Sequence, residues 1–190
     1  MSVTYKPVLK TAHKESGLAD IALWAPISSF DPAGVQVPLN QATASANEDL
    51  VIIAQSHIFL NDHGFLKLQA ASGKVKLEAK MVGDTGSKKL VQQATIFIAG
   101  SDADLHAQIM LMMNQPSVFL FKDPECNDPQ YYQLGSQCVG AYVVEGTFQT
   151  GTLKDGTKGW EFTVEFPSSS LYLYRGALTY PTLDAGNPVL

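Results

Sequence analysis

Two histidines and an aspartate between residues 57 and 63 come closest to a metal site. His57, Asp62 and His63 supply imidazole and carboxylate groups, which suit zinc. A zinc site needs three or four converging groups, and Cys126 and Cys138 are too isolated in the sequence to complete one. Because the run Asp62-His63-Gly64 is explained as a turn, we predict no metal site.

Acidic residues are the next candidates, because paired carboxylates perform acid–base catalysis. Glu161 and Glu165 are four residues apart in an extended segment, which separates them by about 13 Å at the usual rise of a strand. This distance exceeds the separation of the catalytic carboxylates in glycosidases. Even with Glu145 nearby on a partner strand, a solvated strand face explains these glutamates.

Motifs for a nucleophile or a phosphate loop are missing from the sequence. There is no G-x-S-x-G, and the segment 134–140 around Ser136 lacks the second glycine at the needed position. The segment 83–89 has the wrong glycine spacing for a phosphate loop and fits the tip of a hairpin. We therefore predict that the protein is not an enzyme and binds no cofactor.

Composition excludes two further classes of protein. The 190 residues are 45% hydrophobic with a net charge of -5, which argues against a disordered chain. Only 16% are charged, against about 25% in ordinary proteins. Arg175 is the only arginine, although arginine dominates the recognition of phosphate and guanine. We therefore expect no specific nucleic-acid binding.

The sequence also predicts where the chain folds. No stretch reaches the roughly 18 apolar residues of a membrane span, so we expect no membrane association. The first 17 residues are polar and lack the apolar region of a signal peptide. We expect folding in a cytoplasm, with Cys126 and Cys138 as free thiols.

The hydrophobic pattern predicts a mainly β protein of one domain, residues 1–190, with long loops. A long loop or arm covers about residues 27–49, and an irregular tail covers about 175–190. The fold expected is an antiparallel β-sandwich or barrel with one flanking α-helix. The predicted strands are residues 17–26, 50–60, 65–69, 74–81, 90–99, 117–121, 131–135, 141–149, 159–166 and 171–174.

One segment has helical periodicity. Ser101 is the expected N-cap, acidic residues occupy the first turn, and Pro116 stops the helix. Met110, Leu111 and Met113 make the helix apolar almost all round, which predicts burial on more than one side. Core packing and a subunit contact both explain this pattern.

Two hairpins show clean alternation with period two. Segment 74–81 places Lys74, Lys76, Glu78 and Lys80 on one face, and it is expected to pair with 90–99. Segments 141–149 and 159–166 are expected to form the second hairpin. It has one apolar and aromatic face and one acidic and polar face.

Three motifs together carry a family resemblance. They are Phe121-Lys122-Asp123, the run Tyr131-Tyr132-Gln133-Leu134-Gly135, and residues 148–152 followed by Gly159-Trp160-Glu161-Phe162. With the order of elements, they resemble tail tube proteins and related tail structural proteins of bacteriophages, including phages of Bacteroidetes. The similarity covers about residues 90–174 and, more loosely, 17–30.

This resemblance implies a β-sandwich with a flanking helix and no catalytic residue. Subunits of such proteins form hexameric rings whose inner sheets join in one barrel, and the rings stack into a tube that conducts DNA. The barrel strands would come from the two hairpins, and the arm 28–49 and the hairpin tip would reach adjacent subunits or rings. The predicted tip residues are Gly83, Asp84, Thr85, Gly86, Ser87, Lys88 and Lys89.

An acidic lumen is our hypothesis for the channel, because negative charge repels passing DNA. We expect the lysines of segment 74–80 to lie toward an acidic neighbour or on the outer surface. The partners implied are other copies of the chain and other tail proteins, with DNA only in transit. The location implied is the virion tail, after assembly in the host bacterial cytoplasm. The predicted lumen residues are Glu145, Thr147, Gln149, Glu161, Thr163 and Glu165.

Two alternatives stay open from the residues alone. A carbohydrate- or receptor-binding β-sandwich predicts that Tyr131, Tyr132 and Trp24 form an exposed cluster around a groove. A small β-barrel enzyme requires His57, Asp62 and His63 to converge on a pocket. Within the tail family, terminator, distal-tail and baseplate proteins share the fold of the tube subunit.

Overall fold

The computed structural model describes residues 18–124, 130–151 and 156–181. This part of the chain forms ten strands, one α-helix and two short 3-10 helices, Ile27–Ser29 and Asn47–Leu50. In chain order the main elements are β1 Ile21–Pro26, β2 Ile52–Ile53, β3 Leu66–Gln69, β4 Val75–Val82, β5 Lys89–Ala99, α1 Ala103–Met112, β6 Ser117–Lys122, β7 Tyr131–Leu134, β8 Tyr142–Gln149, β9 Gly159–Ser168 and β10 Tyr172–Tyr174.

The strands form two sheets that pack face to face. The six-stranded sheet has the order β2-β10-β7-β6-β1-β3, and the four-stranded sheet has the order β4-β5-β9-β8. Their pairings are antiparallel, except that β10 and β2 are parallel. The predicted sandwich with one helix is confirmed, while the barrel is wrong for a single copy because neither sheet closes on itself.

Alternation along the strands produces the main core between the sheets. On β9, Phe162 and Phe166 are buried and face Phe119 and Phe121 of the six-stranded sheet. Both predicted hairpins are present, since β4 pairs with β5 from Val75↔Ile96 to Val82↔Lys89 and β8 pairs with β9. Burial of apolar area between the sheets is therefore what selects this strand register.

A second core covers the other face of the six-stranded sheet. Leu120 of β6 packs there with Phe30, Val35, Phe65 and Tyr174. Phe30 and Val35 belong to the long loop, so the beginning of this loop packs on its own sheet. The reach of the arm 28–49 to another subunit remains a prediction, and only the first part of the predicted tail, residues 175–181, lies inside the described residues.

The strand predicted at 50–60 is wrong beyond two residues. Only Ile52 and Ile53 form a strand, which pairs with Leu173 and Tyr174 of the three-residue strand β10, and Phe59 makes an isolated bridge with Phe30 of the long loop. Since β10 is so short, it offers no further partner, and the chain leaves the sheet. Ile53 is fully buried, whereas Ile58 is 55% exposed. The β-branched composition of this segment therefore predicted a longer strand than the structure contains.

The N-cap of α1 is Asp102 rather than the predicted Ser101. The Asp102 carboxylate accepts a hydrogen bond from the Leu105 N–H at 2.7 Å. Burial on more than one side is also wrong for the single chain, because Met110 is 46% exposed and Leu111 is 56% exposed. The helix therefore buries one face only.

Replacing the true cap tests this assignment. Asp102→Ala is expected to lower the free energy of unfolding by about 1 kcal/mol, because a helix N–H loses its acceptor. Ser101→Ala is the matched control and is expected to stay within about 0.5 kcal/mol of the wild type. Urea unfolding followed by circular dichroism measures both. Equal losses in the two variants would contradict the assignment.

Candidate functional site

The face of the four-stranded sheet that points away from the core carries polar side chains on all four strands, and we call it the polar face. Paired residues in adjacent strands share a face, so the register defines it. One row runs from Lys76 through Thr95 and Thr163 to Glu145, and the next from Glu78 through Gln93 to Glu165. The remaining polar members are Lys80, Lys89, Thr147, Gln149 and Glu161.

Hydrogen bonds between neighbouring strands order the middle of the polar face. The Gln93 Nε2 donates to Glu165 Oε2 at 2.7 Å, and the hydroxyls of Thr95 and Thr163 are 3.3 Å apart. Such cross-strand polar pairs each contribute a fraction of a kcal/mol. They hold one of the predicted lumen glutamates in a defined position.

At the β4 border, basic and acidic side chains pair with each other. Lys76 Nζ lies 2.6 Å from Glu78 Oε1, and Lys80 Nζ lies 3.6 Å from Glu78 Oε2. The hydrogen bond and charge of Lys76 lower the pKa of the Glu78 carboxyl, with a further contribution from Lys80. These side chains are exposed, so the pairs stabilise the fold very little.

The structure brings all six predicted lumen residues together on the polar face. A register shift between Val143 and Glu145 adds a residue to β8, and Glu145 and Thr147 then lie opposite Thr163 and Glu161. The lysines of β4 share this face with the glutamates, because β4 and β8 are the two borders of one sheet. The expectation that these lysines lie toward an acidic neighbour or on the outer surface stays a prediction. The polar face carries four glutamates and three lysines, because Lys89 at the start of β5 pairs with Val82 and also points outward.

The predicted hairpin tip lies between β4 and β5. Residues 81–89 are exposed, and Met81 has 75% of its surface accessible. Gly83 and Gly86 have φ values of 106° and 90°, a conformation that side chains other than glycine rarely adopt. Lys89, predicted as part of the tip, is the first residue of β5. The hairpin therefore extends beyond the body of the sandwich.

His57 is a buried structural residue. Its Nδ1 accepts the Gln36 backbone N–H at 2.9 Å, so its proton is on Nε2, which donates to Gln133 Oε1 at 3.0 Å. The ring stacks on Tyr174 with centroids 4.4 Å apart. Gln133 completes the network by donating to the carbonyls of Gln36 and Gly135. Both nitrogens of the imidazole are thus occupied.

The other two members of the expected histidine trio lie at the surface. Asp62 and His63 are exposed, and Asp62 adopts a turn conformation with a φ of 64°. Within residues 18–124, 130–151 and 156–181, no three His, Cys, Asp or Glu side chains are grouped to hold a metal ion. The convergence that the barrel-enzyme alternative requires is absent from these residues. Cys126 lies outside the described residues, and Cys138 is exposed and free.

The aromatic cluster expected of a carbohydrate-binding module is not formed. Trp24 is 5% exposed and packs in the main core. Tyr131 and Tyr132 are consecutive on β7, so their side chains point to opposite faces of the sheet. Tyr132 packs against the main core and Tyr131 against the second core. The three rings therefore cannot line one groove.

Sequence reasoning missed an apolar cleft between the two sheets on the β4 side. Its volume is about 460 Å³, and its lining comes from β4, β7 and the segments next to β1 and β10. The alternation of β4 was the one available signal, since it predicted an apolar inner face. Nothing in the sequence showed whether the opposite sheet covers that face. The lining residues are Leu18, Val75, Lys76, Leu77, Ala79, Tyr132 and Leu171.

Comparisons with protein-family models, with curated proteins and with solved structures gave no match to this chain. Among the described residues, no helix has the length and apolar character needed to cross a membrane.

The pKa of His57 gives a pH test of the buried network. Burial lowers this pKa from 6.5 to about 4, against an opposing effect of the bond to Gln133. As the pH falls below 6.5, His57 takes up a proton in the unfolded chain but stays neutral in the folded chain until about pH 4. The free energy of unfolding is therefore highest above pH 6.5 and decreases between pH 6.5 and pH 4. The expected loss is roughly 3 kcal/mol.

A variant without the imidazole isolates this effect from the carboxylates. We expect His57→Gln to be destabilised at pH 7 and to lack this component of the loss between pH 6.5 and 4. The measurement is the free energy of unfolding from urea titrations at several pH values, with His63→Gln as the exposed control. If wild type and His57→Gln lose stability in parallel, the role assigned to His57 is wrong.

Proposed function

We propose that this protein is a structural subunit of a bacteriophage tail tube, which assembles into stacked hexameric rings around a channel for DNA. The motifs at 121–123, 131–135 and 148–162 support the family, and the sandwich with one flanking helix agrees with its fold. The partners are copies of the same chain and other tail proteins. Assembly takes place in the bacterial cytoplasm, and the protein ends in the virion tail. The proposal includes no catalytic residue, cofactor or metal.

The observation that carries the proposal is the state of the two borders of the four-stranded sheet. Among the described residues, no strand pairs with the outer border of β4 or of β8. Exposed strand borders promote association with other strands. Since β4, β5, β9 and β8 alternate in direction, β4 and β8 run in opposite senses. A rotation about an axis roughly along the strands therefore brings β8 of one copy beside β4 of the next in an antiparallel pair.

Charge favours this mixed contact over pairing of like borders. β4 carries Lys76 and Lys80 around a single glutamate, whereas β8 and its neighbour β9 carry three glutamates and no lysine or arginine. Two β4 borders would bring lysines together, and two β8 borders would bring glutamates together. A mixed contact is heterologous, and repetition around an axis closes a ring.

The polar face would line the channel. With four glutamates against three lysines, its net charge is negative, and at the contact between copies each lysine border would lie beside a glutamate border. Such a surface repels the phosphates of passing DNA. Because it neutralises no phosphates, it gains none of the counterion release that drives proteins to bind DNA. The scarcity of arginine supports transit without binding.

Microscopy and sedimentation test assembly directly. We expect negative-stain images of the purified full chain to show rings or tubes of uniform diameter, and sedimentation to show a concentration-dependent large species. Lys76→Glu is expected to raise the concentration needed for assembly about two- to fivefold, the effect of one unfavourable cross-strand pair. Lys158→Glu, with the same change in charge, is the control. A monomer that persists at all concentrations would overturn the proposed function.

Charge reversal inside the channel tests the role of the polar face. Tubes of Glu161→Lys/Glu165→Lys are expected to retain double-stranded DNA in co-sedimentation at 50 mM salt and to release it near 200 mM, as phosphate contacts do. Wild-type tubes are expected to retain none. The control Asn61→Lys/Asp62→Lys/His63→Lys makes the same change in net charge at exposed turn residues outside the arm 28–49. Equal retention by both variants would show that the polar face does not line the channel.

A further inference from the structure

The outward face of α1 is apolar, which is unusual for a helix at the surface of a single domain. Ile109 and Met112 are buried, while Ala103, Ala107, Met110 and Leu111 are exposed on the opposite side. Asp104 is the only charged side chain within the helix. Leaving Met110 and Leu111 in water forgoes the free energy of burying two large side chains.

This helix lies along the inner side of the β8 border. Near its start, His106 contacts Phe148 of β8, with ring centroids 4.9 Å apart, and accepts the Trp160 indole N–H at 2.8 Å. Beyond its end, Ser117 pairs with Ala141, the residue before β8. The helix thus closes the side of the sandwich beneath β8.

The opposite side of the sandwich is not closed in this way. There the apolar cleft of about 460 Å³ lies beneath β4, between Leu77 and Ala79 on one wall and Tyr132 and Leu171 on the other. Its volume accommodates several large side chains. Lys76 lies at the border of this cleft and is positively charged, whereas Asp104 of α1 is negatively charged. The charges of the two sides are therefore complementary.

We infer that the apolar face of α1 in one copy fills the β4-side cleft of the next copy. The inference rests on the proposed ring: when β8 of one copy pairs with β4 of its neighbour, the helix beneath β8 comes to lie next to the cleft beneath β4. Met110 and Leu111 enter the cleft, and Asp104 approaches the lysine border. The contact between copies then consists of a strand pair and a helix packed below it.

Disulfide crosslinking tests the geometry. In a chain carrying Cys126→Ser and Cys138→Ser, the pair Leu111→Cys/Ala79→Cys is expected to form, under mild oxidation, a ladder of covalent oligomers up to the closed ring. Each single cysteine variant brings no two thiols together in a heterologous contact, so it is expected to give none. A ladder from the pair alone supports the inference. Dimers from a single variant, or only an internally bridged monomer from the pair, overturn it.

A charge placed on the helix tests the energetics separately. Leu111→Glu is expected to raise the concentration needed for ring formation at least about tenfold, because it puts a carboxylate in an apolar cleft. Ile58→Glu is the control, since Ile58 is equally exposed but lies in the loop over the six-stranded sheet. If the wild type forms rings and both variants assemble alike, the inference fails while the proposed function stands. If the wild type forms no rings at all, both fail.

Discussion

The pairing of β5 with β9 is the interaction on which the rest of the structure depends. These strands pair over ten residues, from Leu90↔Ser168 to Ala99↔Gly159, and they occupy the centre of the four-stranded sheet. Because side chains alternate, the same register buries Phe162 and Phe166 and turns Glu161 and Glu165 outward. A slip of one residue would exchange the two sets. The core and the polar face are therefore specified by one register.

This dependence explains which parts of the molecule the sequence predicts. Both hairpins and the helix follow from local periodicity, and so does the position of the six predicted lumen residues on one face. Local alternation did not show that the lysines of β4 share a face with the glutamates, because it does not reveal that β4 and β8 border the same sheet. Strand order is a long-range property, and pairs such as β5 with β9 join segments far apart in the chain.

Residues that serve long-range packing were the ones misjudged. His57 and Gln133 are 76 positions apart, yet they form one buried hydrogen-bonded pair that holds the long loop to β7. A buried polar group is tolerated only when its partners are present, and no local pattern identifies those partners. The same reason removes Trp24 from the expected surface cluster. Its burial is determined by the second sheet, which lies across the core from it.

The asymmetry between the two sides of the sandwich connects the fold to the proposed assembly. The four-stranded sheet is covered by α1 beneath β8, whereas beneath β4 a cleft lies between this strand and Tyr132 and Leu171 on the opposite wall. The outward face of α1 is apolar, and no element among the described residues fills the cleft. Exposing either apolar surface to water is unfavourable in free energy. The two lie on opposite sides of one domain, so in the proposed ring they cover each other between neighbouring copies. The unpaired borders of β4 and β8 favour the same contact, in which β8 of one copy lies beside β4 of the next. Two independent requirements, backbone hydrogen bonding and apolar burial, therefore favour the same heterologous ring.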